Sequence, residues 1–431
     1  MEKINIGLIG FGNVGSGVVK ILRERKSFLS EKIGLELNIK KICDKDTSSK
    51  RNVSVDKALL TRDPKDIIND PQINVVVELI GGINPAKEII ASALSRGKNI
   101  VTANKALLAE HGRELFALAK DRAKNIYFEA SVGAGIPIIK SLREGLVANK
   151  FNSVMGIVNG TSNYILSEMS LNNTGFAQAL KSAQDKGFAE KNPTLDIEGM
   201  DSAHKLALLA YLCFGKLVNL QDIFVEGISR ISIADVNYAK QLGFEIKLLA
   251  IAKKDNKELE LRVHPTLIPK AHLLSSVNGI FNAIYAESDL AGNLLFYGPG
   301  AGQLCAASGV VSDIVDLAAD IKAGLFRPTM NIAVDKSIQS LRKIEEIESR
   351  YYIRFSALDK PGVLAKISGV LSRFGISIAS VTQKERRKAQ VVPIMMIIHE
   401  AKEKNLRQAL EAIDHLGVIK EKSVAIRIEE L

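Results

Sequence analysis

Hydrophobic positions in the first third of the chain form short apolar runs that alternate with segments of helical spacing. The apolar runs lie at residues 4–9, 35–43, 75–80, 99–103 and 125–130. Helical segments follow, ending near Arg25, Arg96 and Lys120. The run at 75–80 is almost continuously apolar, as in a strand that is buried on both faces of a parallel sheet. This repeated alternation of strand and helix predicts an α/β fold with a doubly wound parallel sheet of the Rossmann type.

After about residue 137 the regular alternation ends. The later segments are a strand at 154–158, a helix at about 164–171, an apolar helix at 203–212 and strand-like stretches such as 259–265. This mixture predicts an α+β domain inserted into the first domain. A helix at 306–323 follows it, and we expect this helix to return to the first domain.

The C-terminal part of the chain has a third pattern. A charged run at 337–350 is typical of a solvated connector. Beyond it the pattern gives a strand at 351–357, a helix at 363–374, strands at 376–383 and 389–398, a helix at 402–416 and a strand at 423–428. This βαββαβ order predicts a ferredoxin-like domain. The predicted domains are 1–132 (completed by about 300–330), 133–299 and 349–431.

Composition excludes several classes of protein. A length of 431 residues fits two to four domains, and 46% hydrophobic content is typical of a soluble globular protein. The net charge of +10 is spread along the chain and aromatic residues make up only 5%, which argues against nucleic-acid binding. The densest basic run, 384–388, is interrupted by Glu and indicates a solvated loop.

The cysteines and the N-terminal residues indicate the cellular compartment of the protein. Cys43, Cys213 and Cys305 are far apart and form no C-x-x-C pair, which favours a reducing compartment and argues against a zinc site. The N-terminus lacks the features of a signal peptide, and no apolar run is long enough to span a bilayer. We therefore expect a cytoplasmic protein with no membrane partner.

A glycine-rich motif joins the first apolar strand to the first helix: Gly10-Phe11-Gly12-Asn13-Val14-Gly15. This is G-x-G-x-x-G in the context that dinucleotide binding requires, because the backbone and the helix start then face a pyrophosphate. At the end of the second strand an acid favours NAD and a base favours NADP. Asp44, Lys45 and Arg51 all occur there, so the sequence leaves the choice of cofactor open.

Two further segments point toward the same cofactor. Lys105 lies just beyond the carboxyl end of the strand at 99–103, and ligands of such sheets bind at the carboxyl ends of the strands. A solvated lysine at a helix start is the alternative, but a cation is unfavourable there. The glycine-rich stretch 297–302 precedes the helix at 306–323, which we expect to bring Gly300 and Gly302 near the cofactor.

Three carboxylates, Glu190, Asp196 and Asp201, precede or begin the apolar helix at 203–212. Asp201 and Lys205 are four residues apart, so they share one face of that helix. A lysine beside carboxylates is a candidate general acid with partners for a cationic substrate. An exposed Asp–Lys pair, a common surface feature of helices, is the alternative.

Four motifs occur in an order that carries a family resemblance. They are Thr102-Ala103-Asn104-Lys105-Ala106-Leu107-Leu108, Asn159-Gly160-Thr161-Ser162-Asn163-Tyr164-Ile165-Leu166, Gly187-Phe188-Ala189-Glu190, and the segment from Asp196 to Lys205. With them the chain resembles, over almost its whole length, a homoserine dehydrogenase with a C-terminal ACT domain. The resemblance implies NAD(P)-dependent interconversion of L-aspartate 4-semialdehyde and L-homoserine, in threonine, methionine and isoleucine biosynthesis. It also implies a homodimer or homotetramer regulated by L-threonine.

The same resemblance assigns roles to residues. Lys205 would donate a proton to the aldehyde, with Lys105 as the second catalytic lysine. Glu190 and Asp201 would bind the substrate ammonium, and Asp196, Gly160 and Thr161 would complete the substrate site. Cofactor contacts would come from Gly10, Phe11, Gly12, Asn13, Val14, Gly15, Thr102, Lys105 and Gly302. Glu129, with the carbonyls of Val132, Ala134 and Ile136, would hold Na⁺ or K⁺. The chain departs from the family at Cys305-Ala306, where Pro-Thr is frequent.

Other functions remain open at this stage. Aspartate-semialdehyde dehydrogenase uses the same metabolite but needs a cysteine nucleophile, and none of the three cysteines has a paired histidine in the sequence. A non-catalytic amino-acid sensor would not need Lys105 and Lys205 together with Glu190 and Asp201. For the C-terminal domain, the alternative to a regulatory role is a dimerisation module without a ligand.

Overall fold

The computed structural model describes residues 2–327, 335–383 and 390–430. The basic run at 384–388 lies outside the described residues. Within these ranges no helix is long and apolar enough to cross a membrane. The chain divides into two compact units. The first comprises Met1–Val154, His204–Gln221 and Phe281–Lys336, and the second comprises Met155–Ala203, Asp222–Ile280 and Ser337–Leu431.

The described residues form seventeen strands. They are β1 (Lys3–Ile9), β2 (Glu36–Cys43), β3 (Leu60–Thr61), β4 (Val75–Glu78), β5 (Asn99–Thr102), β6 (Ile126–Tyr127), β7 (Phe151–Ile157), β8 (Phe224–Val225), β9 (Phe244–Asp255), β10 (Glu258–Pro269), β11 (Phe281–Ser288), β12 (Gly292–Pro299), β13 (Ser340–Leu341), β14 (Glu348–Leu358), β15 (Ile378–Thr382), β16 (Val391–Lys402) and β17 (Ile419–Ile428).

Fourteen α-helices, again counted over the described residues, connect or flank the strands. They are α1 (Asn13–Glu24), α2 (Lys26–Ile33), α3 (Lys65–Ile68), α4 (Ala86–Ser95), α5 (Lys105–Asp121), α6 (Ile138–Lys140), α7 (Gly160–Asn172), α8 (Phe176–Asp185), α9 (Thr194–Ile197), α10 (Met200–Phe214), α11 (Ile233–Gln241), α12 (Gln303–Lys322), α13 (Val363–Arg373) and α14 (Glu403–Asp414).

A parallel sheet is the centre of the first unit. Its six strands lie in the order β3-β2-β1-β4-β5-β6. This is the strand order of dinucleotide-binding Rossmann sheets, whose ligands bind where the order reverses, between β1 and β4. The glycine-rich motif follows β1 at that point. The predicted doubly wound parallel sheet is therefore confirmed.

Helix α12 packs on α1 within the first unit, as the sequence predicts for the returning helix. Val18 and Val19 of α1 share one buried core with Val310 and Ile314 of α12. The approach is close at Gly17, where an added Cβ would lie 3.0 Å from the Cβ of Ala307. Each fully buried aliphatic side chain of this kind contributes about 1.5–3 kcal/mol. This packing fixes the first turn of α12 beside the first turn of α1.

The second unit is built on a mixed sheet. Six of its strands lie in the order β9-β10-β17-β14-β16-β15, and β8 and β13 also pair with β10. The elements β14, α13, β15, β16, α14 and β17 follow one another in the predicted βαββαβ order, over a core that includes Ile353, Phe355, Ile367 and Leu406. Strand β17 pairs in parallel with β10 at Thr266 and Leu267, which joins this C-terminal domain to the rest of the unit.

Two segments differ from the sequence-based expectation. The predicted solvated connector at 337–350 contains β13 and the start of β14, because Arg342 donates its backbone N–H to Leu259 and its side chain forms an ion pair with Glu258 at 2.9 Å. The helix predicted at 164–171 begins earlier, at Gly160. The side chain of Asn159 caps it by accepting the N–H of Ser162.

Candidate active site

The three glycines of the motif have different surroundings. Gly10 has φ +102, and an added Cβ would lie 2.6 Å from the backbone of Leu79. At Gly15 an added Cβ would lie 2.0 Å from the carbonyl oxygen of Gly10, so only glycine allows this approach of α1 to β1. At Gly12, by contrast, an added Cβ would meet no atom within 4 Å. That open space lies at the N-terminus of α1, where phosphate binding is favoured, and it fits a dinucleotide.

An arginine in the connection that follows β2 lies beside the glycine-rich loop. The Asp44 carboxylate accepts the N–H of Phe11 at 2.5 Å and that of Asp46 at 2.8 Å, so it braces the loop. Arg51 donates its Nε–H to the carbonyl of Phe11 at 2.8 Å, and its guanidinium lies 5.6 Å from the centre of the Phe11 ring. A fixed cation therefore lies beside the loop.

A buried carboxylate organises the ends of β4 and β5. Glu78 is fully buried and accepts N–H groups from Ile80 and Gly81 and the hydroxyl of Thr102, the last at 2.7 Å. Burial raises the pKa of Glu78. Sequence reasoning missed this residue because it lies within an apolar run. The only signal was an acid in a strand otherwise typical of a buried sheet.

Asn104 places the start of α5. Its backbone N–H bonds the hydroxyl of Thr102 at 3.0 Å, its amide donates to the carbonyl of Gly82 at 2.6 Å, and its side-chain oxygen caps the helix at Leu107. Lys105 is consequently the first residue of α5, half-buried just beyond the carboxyl end of β5. The position of this lysine is set by a network of bonds rather than by an unconstrained loop.

The second glycine-rich segment ends beside the first. Gly302, at φ +121, is the N-cap of α12. The next residue, Gln303, donates its amide to the carbonyl of Asn13 at 2.9 Å and to the hydroxyl of Ser16 at 3.0 Å. Gly300 packs against Asn282, whose Cγ would lie 2.0 Å from an added Cβ. Gly302 is thus held close to the first turn of α1.

Glu129 belongs to a buried pair of carboxylates. Its side chain accepts the N–H groups of Ile139 and Lys140, both at 2.8 Å, and its own N–H donates to Asp313 at 2.7 Å. Burial raises the pKa of Glu129 to about 7 and holds that of Asp313 well above its usual range. Two buried acids close together would be stabilised by a cation.

The surroundings of Glu129 also supply backbone oxygens. Val132, Ala134 and Ile136 lie in the short segment that follows it, and Ala134 has a φ of +53. No group of three or more His, Cys, Asp or Glu side chains in the described part of the chain is arranged to hold a metal. An ion here would rely on one carboxylate and carbonyl oxygens, the ligand type that hard cations prefer. The buried carboxylate of Glu129 is a ligand of the kind that such an ion would need.

In the second unit Asn159 brings two carboxylates together. Its Nδ2 donates to Asp196 at 2.7 Å and to Asp201 at 2.9 Å, while its Oδ1 accepts the N–H of Ser162 at 2.8 Å. Asn159 is 5% exposed. It lies within a recognised motif but was not among the predicted site residues. A single buried amide therefore orients both acids.

Residues of α7 hold the segment that contains Glu190 against this helix. The hydroxyl of Thr161 donates to the carbonyl of Phe188 at 2.7 Å, and the Phe188 ring packs edge-on against Tyr164 with centroids 5.0 Å apart. Gly160 faces the carbonyl of Ile280, 2.9 Å from where a Cβ would lie. Glu190 follows two residues after Phe188 and is exposed.

Helix α10 carries both Asp201 and Lys205, one turn apart. Asp201 is 9% exposed and Lys205 is 8% exposed. An ordinary surface ion pair is thereby excluded, since charged side chains are rarely buried to this extent without a partner or a function. The adjacent His204 has its Nε2 3.8 Å from Glu110, which agrees with a packing role.

Two of the three cysteines are unsuited to nucleophilic catalysis. Burial raises the pKa of Cys43 to about 11, and burial also raises that of Cys213. The thiolate is the reactive form, so such thiols are poor nucleophiles at neutral pH. Cys305 lies in the first turn of α12. This geometry gives no support to the chemistry of an aspartate-semialdehyde dehydrogenase.

Comparison with known proteins agrees with the geometry. The family model for homoserine dehydrogenase matches residues 137–315, that for the NAD-binding domain of homoserine dehydrogenase matches 10–129, and that for the ACT domain matches 351–417. The chain is 42% identical to a homoserine dehydrogenase from Neisseria gonorrhoeae over 434 residues, which covers 100% of each chain.

Solved structures give the same result. A homoserine dehydrogenase from Thiobacillus denitrificans matches with a TM-score of 0.91 and 40% identity, over 100% of this chain and 99% of that one. A hyperthermophilic archaeal homoserine dehydrogenase in complex with NADPH matches with a TM-score of 0.64 and 28% identity, over 75% of this chain and 100% of that one. The chain belongs to the homoserine dehydrogenase family, as an oxidoreductase with an NAD-binding domain and a C-terminal ACT domain.

Proposed function

We propose that the enzyme interconverts L-homoserine and L-aspartate 4-semialdehyde, as a step in threonine, methionine and isoleucine biosynthesis. The observation that carries this proposal is the pair of carboxylates, Asp196 and Asp201, that Asn159 holds at the start of the helix bearing Lys205. A small substrate with a cationic ammonium and a reacting oxygen needs both kinds of group.

The proposed mechanism assigns each side chain one task. Asp201 and Glu190 bind the α-ammonium of the substrate, and Asp196, Gly160 and Thr161 shape the site around it. Lys205 donates a proton to the aldehyde oxygen during reduction and stabilises the charge that develops there. Lys105, at the start of α5, contacts the substrate and the cofactor. The nicotinamide cofactor supplies or accepts the hydride.

We propose NADP as the preferred cofactor. Asp44, the acid that would bind a ribose 2′-hydroxyl, has its carboxylate engaged with the N–H groups of Phe11 and Asp46. Arg51, whose guanidinium donates to the carbonyls of Phe11, Ser49 and Asp46, offers a cation beside the same loop, and a positive charge there suits a 2′-phosphate. The related archaeal structure contains NADPH. Contacts to the dinucleotide come from the glycine-rich loop (Gly10, Phe11, Gly12, Asn13, Val14 and Gly15) and from Thr102, Lys105 and Gly302.

A monovalent cation belongs to the proposal as well. Glu129 and the carbonyls of Val132, Ala134 and Ile136 would hold Na⁺ or K⁺. The support is the buried carboxylate pair of Glu129 and Asp313, which a positive charge would stabilise. Such an ion would fix the segment after Glu129 and would take no part in proton transfer.

For regulation, we propose that L-threonine binds the ACT domain, residues 349–431, in a homodimer or homotetramer. The domain limits 1–132 with 300–330, and 133–299, complete the proposed organisation. The support is the βαββαβ order and the turn between β14 and α13, which begins the helix at Gly362 with φ +84. An ACT domain that only mediates dimerisation would leave the activity unresponsive to threonine.

Steady-state oxidation of L-homoserine, followed by absorbance of the reduced cofactor, tests the activity. The assay is run with NAD and with NADP, each with and without L-threonine. We expect turnover with both cofactors and a higher kcat/KM with NADP. Absence of homoserine-dependent reduction with either cofactor would refute the proposed reaction.

A further inference from the structure

The segment between α10 and α11 links the C-terminal domain to the substrate carboxylates within the second unit. It includes β8, which pairs in parallel with β10 through Phe224 opposite Arg262 and Val225 opposite Val263. The next residue, Glu226, extends the pairing by donating its N–H to the carbonyl of Val263 at 2.8 Å. This segment, residues 224–228, is termed the β8 link below.

Two arginines of the C-terminal domain contact one side of the β8 link. The guanidinium of Arg407, on α14, lies 5.0 Å from the centre of the Phe224 ring, and that of Arg427, on β17, lies 4.8 Å from it. Arg427 also donates to the carboxylate of Glu226 at 3.0 Å. Cations at such distances attract the ring and, where desolvated, also restrict its position.

Arg427 is itself rigidly held. It is 4% exposed and forms a two-point ion pair with Glu403, at 2.5 and 2.9 Å. Glu403 in turn accepts the hydroxyl of Tyr351 at 2.8 Å and an ion pair from Arg407 at 2.9 Å. The two arginines that contact Phe224 therefore share one buried carboxylate, which connects both α14 and β17 to the ring.

The other side of the β8 link supports the turn that carries the carboxylates. Ile228 donates its N–H to the carbonyl of Ile197 at 2.8 Å. Gly227 lies so close that an added Cβ would be 2.5 Å from the same carbonyl oxygen. Gly199, at φ +87, would place a Cβ 3.1 Å from the side chain of Val225. The backbone of residues 197–199 thus rests directly on the link.

Residues 197–199 lie between the two carboxylates that Asn159 holds. Asp196 precedes Ile197 directly, and Asp201 follows Gly199 by two residues. We propose that Arg407 and Arg427 are positioning residues for the substrate: through the β8 link they set the spacing of Asp196 and Asp201. This inference rests on the proposed function, because it assumes that Asp201 binds the substrate ammonium and that Asp196 shapes the site around it.

A second contact of the C-terminal domain provides a matched comparison. Arg354 and Tyr352 of β14 both bond the buried carboxylate of Asp235, at 2.7 and 2.9 Å. Asp235 lies on α11, which carries none of the proposed site residues. This contact, like the one at Arg427, pairs an arginine of the C-terminal domain with a buried carboxylate, but the carboxylate lies on a helix that carries no proposed site residue.

The test compares Arg427→Lys with Arg354→Lys in the full-length enzyme. Lysine keeps the charge but loses the two-point geometry and the planar stacking surface. We expect Arg427→Lys to raise the KM for homoserine about threefold or more, with the KM for the cofactor unchanged. We expect Arg354→Lys to leave the homoserine KM unchanged, even where its melting temperature falls by the same amount.

A second set of variants applies if Arg427→Lys does not fold. Arg407 has 46% of its side chain exposed, so Arg407→Ala should fold, and Phe224→Leu removes the ring it contacts. Each should raise the homoserine KM about two- to fivefold, and the double variant should show no more than the larger single effect. Additive effects, or an unchanged KM in both, would overturn the inference.

The controls separate this inference from the proposed reaction. A wild-type enzyme that does not oxidise homoserine would refute the reaction itself. A wild-type enzyme that is active, with Arg427→Lys and Arg354→Lys shifting the homoserine KM equally, would refute only the positioning role. It would show that the two contacts contribute general stability and nothing specific to the substrate.

Discussion

At the level of single residues, the sequence singled out the charged side chains of the proposed site but not the residues that hold them. Asp196, Asp201 and Lys205 stood out because charged residues occur beside an apolar helix. Asn159 did not, since an amide 37 and 42 residues away from the acids it contacts gives no local signal. Glu78 was hidden for the same reason, 24 residues from Thr102. Such contacts depend on tertiary structure, which residue spacing alone does not specify.

Replacement of Lys205 by Ala should abolish turnover while the protein still folds and binds the dinucleotide. Loss of a positioned proton donor costs about 10²–10⁴-fold in rate. The measurement is kcat for homoserine oxidation together with the dissociation constant of the reduced cofactor by fluorescence. Near-wild-type kcat would assign proton transfer to another residue, and Lys105 would be examined next.

Loss of the charge at Asp201 or Glu190 should affect the substrate and spare the cofactor. We expect Asp201→Asn and Glu190→Gln to raise the KM for homoserine or to lower kcat, because each would remove the ion pair that we propose with the ammonium. Lys191→Gln is the control, because it removes an exposed charge next to Glu190 and should leave the homoserine KM and kcat unchanged. A large loss of cofactor affinity in either variant would show that these residues belong to the cofactor site and not to the substrate site.

At the level of elements, the sequence predicted the parts whose geometry is local. The glycine-rich loop follows from three glycines between a strand and a helix, and each has a distinct physical reason in the structure. The sequence places the start of α7 four residues too late, because its apolar residues begin only at Tyr164, past the N-cap Asn159. The predicted connector at 337–350 was wrong in part, since the pairing of β13 with β10 involves residues 82 apart.

Gly12→Val should block dinucleotide binding without unfolding the protein. A Cβ added at Gly12 would meet no protein atom within 4 Å. The valine side chain would therefore clash only with a bound pyrophosphate. Calorimetric titration with the reduced cofactor measures the effect, with the melting temperature as the check on folding. An unaltered dissociation constant would show that this glycine serves the turn alone.

Arg51→Ala should weaken NADP binding more than NAD binding. The guanidinium beside Phe11 is the cation we propose for the 2′-phosphate, and loss of one charge-assisted contact costs about 1.5–3 kcal/mol. Lys57→Ala, at an exposed position later in the same connection, is the matched control. The ratio of kcat/KM for the two cofactors is measured. Equal losses for NAD and NADP would mean that Arg51 only braces the loop.

At the level of the whole molecule, the order of elements was predictable and the way the C-terminal domain is attached was not. The βαββαβ order follows from periodicity along 80 residues of sequence. The pairing of β17 with β10 and the bonds from Tyr352 and Arg354 to Asp235 join residues more than 100 positions apart. Cutting the chain near residue 350 would leave Asp235, which is fully buried, without these partners. Truncation is therefore a poor test of regulation, because an unpaired buried charge is destabilising.

A substitution within the turn is the sharper test of threonine control. Gly362 begins α13 at φ +84, where a β-branched residue is strained, so Gly362→Val should reshape the turn that we propose binds L-threonine. Gly375→Val is matched to it: this glycine has φ +70, lies after α13 in the same domain, and, like Gly362, would place a Cβ within 4 Å of no atom.

Both variants should retain the wild-type kcat without threonine, because neither touches a proposed catalytic group. In a threonine titration Gly362→Val should lose inhibition, whereas Gly375→Val should follow the wild-type curve. The physical basis is differential binding: an effector acts only by preferring one conformation of the enzyme, and a coupling of about 1–3 kcal/mol corresponds to a 5–150-fold change in apparent affinity. If threonine has no effect on the wild-type enzyme, the domain would instead serve as a dimerisation module. If threonine inhibits the wild type and both glycine variants respond alike, the turn at Gly362 is not the threonine site.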